Sequence, residues 1–364
     1  MTNAPAVSVI IPMYNAENFI RECLKSVLEQ TLQDYEVVIV NDCSTDLSRQ
    51  VVASYVKKFG GRLKIFDNEQ NLGPGGTRNR GLQVSRGEYI FFLDADDLIA
   101  KDALEKMYDA AKKYDADVLN LTSCYLMSND GKKVTLQPAR KIAANEPLLD
   151  VDKDWRMINL IRNNFRGAPW RKFTRRTFLL ENELFFPEKI RRAEDAMWTH
   201  AVWFFAEKIV HIPLAIYFHR KGDPEERGKG SAFSKNANLF DRIKFRAGTI
   251  VHAVEWINQI MDRAPFFEAN PKYRYPMIKH IAERFFMIIL RLTPKISSAK
   301  LYDLLRDEFE KNSAAYNPAD VLPVLFTLMV EYQKLMLKNL TNDDRDELEK
   351  FLTSTKKPKK EKSL

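Results

Sequence analysis

The sequence predicts an α/β protein, a doubly wound and mostly parallel sheet followed by an all-helical appendage. Three observations carry that expectation. Short apolar runs near residues 7, 35, 63 and 89 alternate with amphipathic stretches, and strands joined by helical crossovers form parallel sheets. Polar clusters at 41–46, 71–81 and 94–97 fall on the carboxyl edge of those strands, where such sheets hold ligands. Beyond residue 238 a helical spacing takes over, with Ile243, Ala247, Ile250, Val254, Ile257 and Met261 repeating at three and four residues.

Residues 7–12 form a nearly continuous apolar run, as in a strand buried on both faces. Residues 17–30 follow as a helix, with Phe19, Ile20, Cys23, Leu24, Val27 and Leu28 on one stripe. A second strand spans 35–40 and ends in Asn41-Asp-Cys-Ser-Thr-Asp46. A helix then reaches about residue 59, with Val52, Tyr55, Val56 and Phe59 facing inward. Residues 63–66 are a third strand, 75–85 a short helix and 89–93 a fourth strand. Past 238, apolar helical segments at 278–292 and 321–340 are separated by Pro271, Pro276, Pro294 and Pro318.

A chain of 364 residues, 45% hydrophobic and 29% charged, can bury a core in two domains, or in one domain with an appendage. Cys23, Cys43 and Cys124 show no paired spacing, which points to a reducing compartment. The N-terminal apolar run is too short for a secretion signal, and the run near 285–290 is too short to span a bilayer. The expectation is a soluble chain, at most seated on a membrane. A net charge of +8 suits nucleic acid, anionic lipid or phosphate-bearing substrates. No helix carries the basic face of a DNA reader, so nucleic acid is set aside. The tail 356–364 has five lysines against one glutamate, a solvated segment or a weak attachment to an anionic membrane.

The chemistry concentrates in Glu88-Tyr-Ile-Phe-Phe-Leu-Asp-Ala-Asp-Asp97, where an apolar strand runs into Asp94, Asp96 and Asp97. A hard divalent cation, Mn²⁺ or Mg²⁺, relieves the repulsion among such carboxylates and keeps substrate phosphates in its shell. The alternative is an acidic helix start. Asp42 leaves the second strand directly, placed to accept hydrogen bonds from a base or to cap the next helix; Asp46 suits a cap. Four of the 13 glycines lie between Gly73 and Gly81. Glycine permits close backbone approach, and Arg78 and Arg80 have the fork that grips a diphosphate, unless the segment is a plain turn into a helix. A dinucleotide fingerprint would follow the first strand, where the chain has no glycine, and Gly228-Lys-Gly-Ser231 has the wrong spacing for a Walker loop.

Val7-Ser-Val-Ile-Ile-Pro-Met-Tyr-Asn15, Asn41-Asp-Cys-Ser-Thr-Asp46, Gly75-Gly-Thr-Arg-Asn-Arg-Gly81 and Asp94-Ala-Asp-Asp97 stand in one order and register. Together they resemble the nucleotide-sugar domain of glycosyltransferase family 2, inverting enzymes of the GT-A fold, over about residues 5–235. The resemblance implies that Pro12 and Tyr14 pack around the nucleoside and Asp42 reads the uracil edge. It implies that Arg78 faces the diphosphate, Asp94 holds the ribose or a metal-bound water, and Asp96 binds the cation. Arg191-Arg-Ala-Glu-Asp-Ala-Met-Trp198 would then supply Asp195 as the base, with Glu194 orienting or binding the acceptor; a solvated acidic pair is the alternative. Trp170 and Trp198 become candidates to stack on the acceptor sugar, equally at home in a core. His219, Arg220, Lys229 and Ser231 become candidates for a lid over the diphosphate, or for an exposed loop.

The implied division is a GT-A domain at 1–237, split into a nucleotide-sugar half at 1–115 and an acceptor half at 116–237. A helical domain covers 238–354 and a basic disordered tail 355–364. The implied activity is metal-dependent inverting transfer from a UDP-sugar to a hydroxyl of a capsule, lipooligosaccharide or related glycan, free or lipid-linked. It would take place in the cytoplasm or at the inner face of the plasma membrane, with the helical domain placed to dimerise. A nucleotidyltransferase and a non-catalytic glycan- or nucleotide-binding scaffold are the competing classes.

Overall fold

The computed structural model describes residues 4–138, 146–164, 167–190, 193–221 and 239–290. The chain divides into two compact units, Met1–Ala232 and Phe233–Leu364. The first opens with β1 (Val7–Met13), α1 (Ile20–Leu28), β2 (Tyr35–Asn41), α2 (Ser48–Ala53), β3 (Leu63–Asp67), α3 (Gly73–Val84) and β4 (Tyr89–Phe92). It continues through β5 (Leu98–Ile99), α4 (Ala103–Tyr114), β6 (Val118–Leu121), β7 (Cys124–Met127), β8 (Val134–Gln137), β9 (Leu148–Asp150) and α5 (Lys153–Ile161). Then come β10 (Lys172–Arg175), α6 (Arg176–Glu181), α7 (Glu194–Phe205), β11 (Ile209–Ile212) and β12 (Tyr217–Arg220).

The main sheet runs β3-β2-β1-β4-β10-β6-β11-β9, and a smaller one runs β5-β12-β7-β8. β1 pairs in parallel with β2 and β4, and β2 with β3. β10 is antiparallel to both β4 and β6, so it reverses the sheet at its centre. β1 and β2 are apolar and buried on both faces because helices cover both sides of the sheet. α1 buries Ile20, Cys23, Leu24 and Val27, the expected stripe.

The helix expected to reach residue 59 is instead two pieces. α2 ends at Ala53, and a 3₁₀ turn at Val56–Phe59 is closed by Gly60 in the left-handed region (φ 59°). β-branched Val51, Val52 and Val56 weaken the helix, while the short turn still buries Phe59. α3 is held close to the sheet by Gly81, since a β-carbon there would overlap the Ile10 Cγ2 methyl and touch Val40. Gly81→Ala is therefore expected to destabilise the fold by about 1–3 kcal/mol through overpacking, read by urea unfolding.

At the far edge, β9 is fastened by a fully buried ion pair. Arg156 Nε donates to Asp150 Oδ2 at 3.1 Å, and its Nη1 donates to the carbonyls of Trp203 and Ala206. His211 stands between Asp150 (3.3 Å) and Asn120 (3.0 Å), and burial holds its pKa below the ordinary histidine value.

The second unit is helical over its described residues: α8 (Leu239–Arg263), α9 (Pro265–Ala269) and α10 (Arg274–Leu290). Ile250, Val254, Ile257 and Met261 are buried, as their spacing requires, together with Met277, Ile278 and Ile281 of α10. The expected helix at 321–340 and the tail lie outside the described residues.

Candidate active site

The loops after β1 and β2 interlock. Thr45 N donates to Asn15 Oδ1 at 2.8 Å, Ala16 N to Ser48 Oγ at 2.7 Å, Glu17 N to Asp46 Oδ2 at 3.0 Å and Leu47 N to Glu17 Oε2 at 2.9 Å. Asp46 also accepts from Ser48 N at 3.0 Å, but it lies one residue before Leu47, the N-cap of α2, so the cap expected of it is only approximated. Tyr14 leaves this loop half exposed (50%), while Pro12 is partly buried at the end of β1.

Asp42 is buried and ties β2 to the start of α3. Its Oδ1 accepts from Asn68 Nδ2 and Leu72 N, both at 2.8 Å, and its Oδ2 from Gly73 N at 2.9 Å. A carboxylate offers about four acceptor directions, so a base edge would meet Asp42 at its one remaining position. Gly73 has a φ of 73°, which lets the chain turn its amide onto that carboxylate.

The DADD segment divides its labour. Asp97 is fully buried: Tyr217 Oη donates to Oδ2 at 2.6 Å, His219 Nδ1 lies 3.2 Å from the same oxygen, and Arg220 N donates to Oδ1 at 2.7 Å. Asp97 thereby pins β12 beneath Asp94 and Asp96, which remain partly exposed. Burial, reinforced by Asp97 and Asp94, pushes the Asp96 carboxyl up to about 7. Among the described residues, no ion pair reaches that carboxylate.

Asp94 Oδ1 accepts from Arg78 Nη2 at 2.7 Å, and Arg78 Nη1 lies 3.6 Å from Glu194 Oε1. Arg78, expected to face a diphosphate, is thus 8% exposed and engaged with two carboxylates. Burial pushes Glu194 up to about 7; Asp195 adds to the shift and Arg78 opposes it. Ala193 enters α7 in the left-handed region (φ 61°). Gly75 gives Glu194 its room: a β-carbon on Gly75 would lie 3.1 Å from Glu194 Cγ and 3.2 Å from Phe186 Cβ. This glycine and Gly81 admit protein neighbours, where ligand approach had been the expectation.

Two other expectations are corrected. Trp198 is 0% exposed, stacked on Phe186 at 4.6 Å, with Nε1 donating to Leu184 O; no face is open to a sugar. Arg220 is a buried strap rather than a lid, donating to Asp96 O, Asn129 O and Glu22 Oε2 and lying over Phe19. His219 shares that strand, is 41% exposed, and its hydrogen bond with Asp97 raises its pKa. Lys229 and Ser231 lie outside the described residues. Trp170 is largely buried, stacked on Tyr217 at 4.2 Å and on His219 at 5.3 Å.

The sequence reading missed Tyr217, Asn79 and Phe186. Tyr217 and His219 are two apart, so the strand period puts both on one face toward Asp97; that signal was available. Asn79 stands inside the Gly75–Gly81 motif with no role assigned to it, and nothing local marks Phe186.

Comparison with known proteins gives this geometry a lineage. Residues 8–175 match the profile described as "Glycosyl transferase family 2". This segment belongs to that family. The chain is 32% identical over 221 residues to "Putative glycosyltransferase EpsH" of Bacillus subtilis, covering 59% of this chain and 61% of that protein. It is 31% identical over 250 residues to "Poly(ribitol-phosphate) beta-N-acetylglucosaminyltransferase TarS" of Staphylococcus aureus, covering 68% of this chain and 40% of the relative. The chain therefore spans less than two thirds of the length of these relatives. Among solved structures, S. aureus TarS 1–349 in complex with UDP-GlcNAc superposes with a TM-score of 0.54 at 25% identity, covering 90% of this chain and 91% of that one. The mostly parallel sheet with its flanking helices is thus a GT-A fold similar to that of the TarS structure.

Proposed function

We propose that the protein is an inverting glycosyltransferase that moves a sugar from a UDP-sugar to a hydroxyl of a surface glycan. The observation that carries this reading is Arg78, which joins the carboxylates after β4 to the acidic pair opening α7. A donor anchored at Asp94 and Asp96 would lie beside Asp195. In the reaction, Asp195 takes the acceptor hydroxyl proton while the oxygen attacks the anomeric carbon; the carbon–oxygen bond to the diphosphate breaks, and UDP leaves with its electron pair. Pro12, Tyr14 and Asp42 would frame the uridine.

A divalent cation fits Asp94 and Asp96. Burial, and then Asp97 and Asp94, raise Asp96, and among the described residues no three His, Cys, Asp or Glu side chains gather to hold an ion alone, so donor phosphates would complete the shell. When bound, Mn²⁺ or Mg²⁺ would neutralise the charge developing on the departing diphosphate. A relative named for transfer onto poly(ribitol-phosphate) supports a polymeric envelope acceptor. Among the described residues, no helix is long and apolar enough to cross a membrane; cytoplasmic placement, peripheral membrane attachment and dimerisation through the helical unit belong to this proposal. A nucleotidyltransferase or an inert scaffold would have no use for an acidic pair joined to the donor carboxylates.

The test is UDP release from a panel of UDP-sugars with Mn²⁺. Turnover of one donor identifies the sugar, and no release with or without glycan acceptors would overturn the reading. Asp96→Ala is expected to abolish the cation dependence of UDP binding in calorimetry; unchanged Mn²⁺-assisted affinity would remove Asp96 from that role.

A further inference from the structure

Phe186 touches α3, β4 and α7, the three elements that Arg78 also brings together. Asn79 of α3 grips its backbone from both sides: Asn79 Nδ2 donates to Phe186 O at 2.9 Å, and Phe186 N donates to Asn79 Oδ1 at 2.7 Å. All four atoms are buried, so each bond replaces one that water cannot supply. The Phe186 ring stacks on Trp198 of α7 at 4.6 Å and meets Phe92 of β4 edge-on at 5.4 Å. The Arg78 guanidinium lies 5.5 Å from the same ring. Gly75, one turn before Asn79, leaves the space that Phe186 Cβ and Glu194 Cγ occupy together. Leu184 O receives the Trp198 indole N–H, a second tie from this loop to α7.

α7 is thus tied to the loop 184–186, beside its contacts with Gly167 and Arg156, and the loop is tied to Asn79. The helix that carries Arg78 toward Asp94 also reaches, through one amide, the residue on which Trp198 of α7 stacks, one turn beyond Glu194 and Asp195. We propose that Asn79 is a positioning residue for transfer: through Phe186 it sets the first turn of α7 against the donor carboxylates, while touching neither donor nor acceptor itself. This rests on the glycosyltransferase reading above. A misplacement of about 1 Å at a reacting group can cost on the order of 100-fold in rate, so a side chain far from the chemistry can govern turnover.

The experiment compares full-length wild type, Asn79→Ala, Asn79→Asp, Glu194→Gln and the Asn79→Ala/Glu194→Gln double variant. UDP release is followed with the UDP-sugar that turns over in the panel, and UDP affinity is measured by calorimetry. Asn79→Ala is expected to lower kcat about 10- to 100-fold with KM and UDP affinity near wild type. Asn79→Asp keeps the acceptor for Phe186 N–H and is expected to fall between the two, and it carries the test if the alanine variant does not fold. The double variant is expected to lose much less than the product of the single losses, because both act at the first turn of α7. An unchanged kcat in either Asn79 variant, a matching loss of UDP affinity, or multiplicative losses in the double variant would each overturn the proposal. Asp195→Asn, run alongside, separates the two readings: if turnover survives it, the base assignment fails; if turnover vanishes there and Asn79→Ala is normal, only the positioning role fails.

Discussion

Asp195→Asn is expected to lower transfer by about 10²- to 10⁴-fold, the usual contribution of a positioned general base, with UDP affinity close to wild type. The geometry separates the two readouts. Asp195 sits in the first turn of α7, whereas the residues framing the proposed uridine site belong to the loops after β1 and β2 and to the start of α3. Its backbone carbonyl accepts from Thr199 Oγ1 at 2.8 Å, a bond the substitution leaves in place, so the helix is not expected to shift. The side chain keeps its shape and the oxygen that accepts from Ala196 N, and loses its charge and its ability to take a proton. Steady-state UDP release and calorimetric UDP binding measured on the same preparations decide the matter. Transfer that survives nearly intact would move the base elsewhere; transfer and UDP affinity lost together would place Asp195 in donor binding.

The first four strands and the stripe of α1 were legible because apolar period and turn residues are local properties of the chain. So was the gathering of Asp42, the glycine segment and Asp94–Asp97 at one sheet edge, which follows from parallel topology. The parts that were not legible depend on partners distant in sequence. β10 runs against both its neighbours, a reversal that no property of residues 172–175 announces. Trp198 looked as suited to a sugar face as to a core until Phe186 and Leu184 claimed both its ring and its N–H. Gly75 was read as space for a ligand, but that space is filled by Glu194, more than a hundred residues onward. Asp97 was counted with its acidic neighbours, yet Tyr217 and the Arg220 amide make it the anchor of the segment. Sequence patterns identified the chemical groups; only long-range packing decides which of them face substrate and which hold the others still.

Glu194→Gln is expected to make the unliganded protein more stable at neutral and higher pH while making it a poorer enzyme. Burial raises the Glu194 carboxyl from 4.5 to about 7 in the folded chain. Between those two values the folded state binds more protons than the unfolded one, so stability falls as pH rises through this window. Above pH 7 the side chain is charged in both states, and the folded protein carries the whole penalty, about 3 kcal/mol for a shift of this size. Glutamine has the shape of the protonated acid and no charge to desolvate. In urea unfolding, the advantage of Glu194→Gln should be under about 1 kcal/mol at pH 5 and grow to about 3 kcal/mol at pH 8. A gap that does not change with pH, or a variant less stable at both, would mean that Arg78 depends on the charge of Glu194 more than burial opposes it. Glu194 also lies beside Arg78 and directly precedes Asp195 at the start of α7. The same substitution is therefore expected to lower UDP release, and opposite signs in the two measurements would mark Glu194 as retained for transfer rather than for the fold.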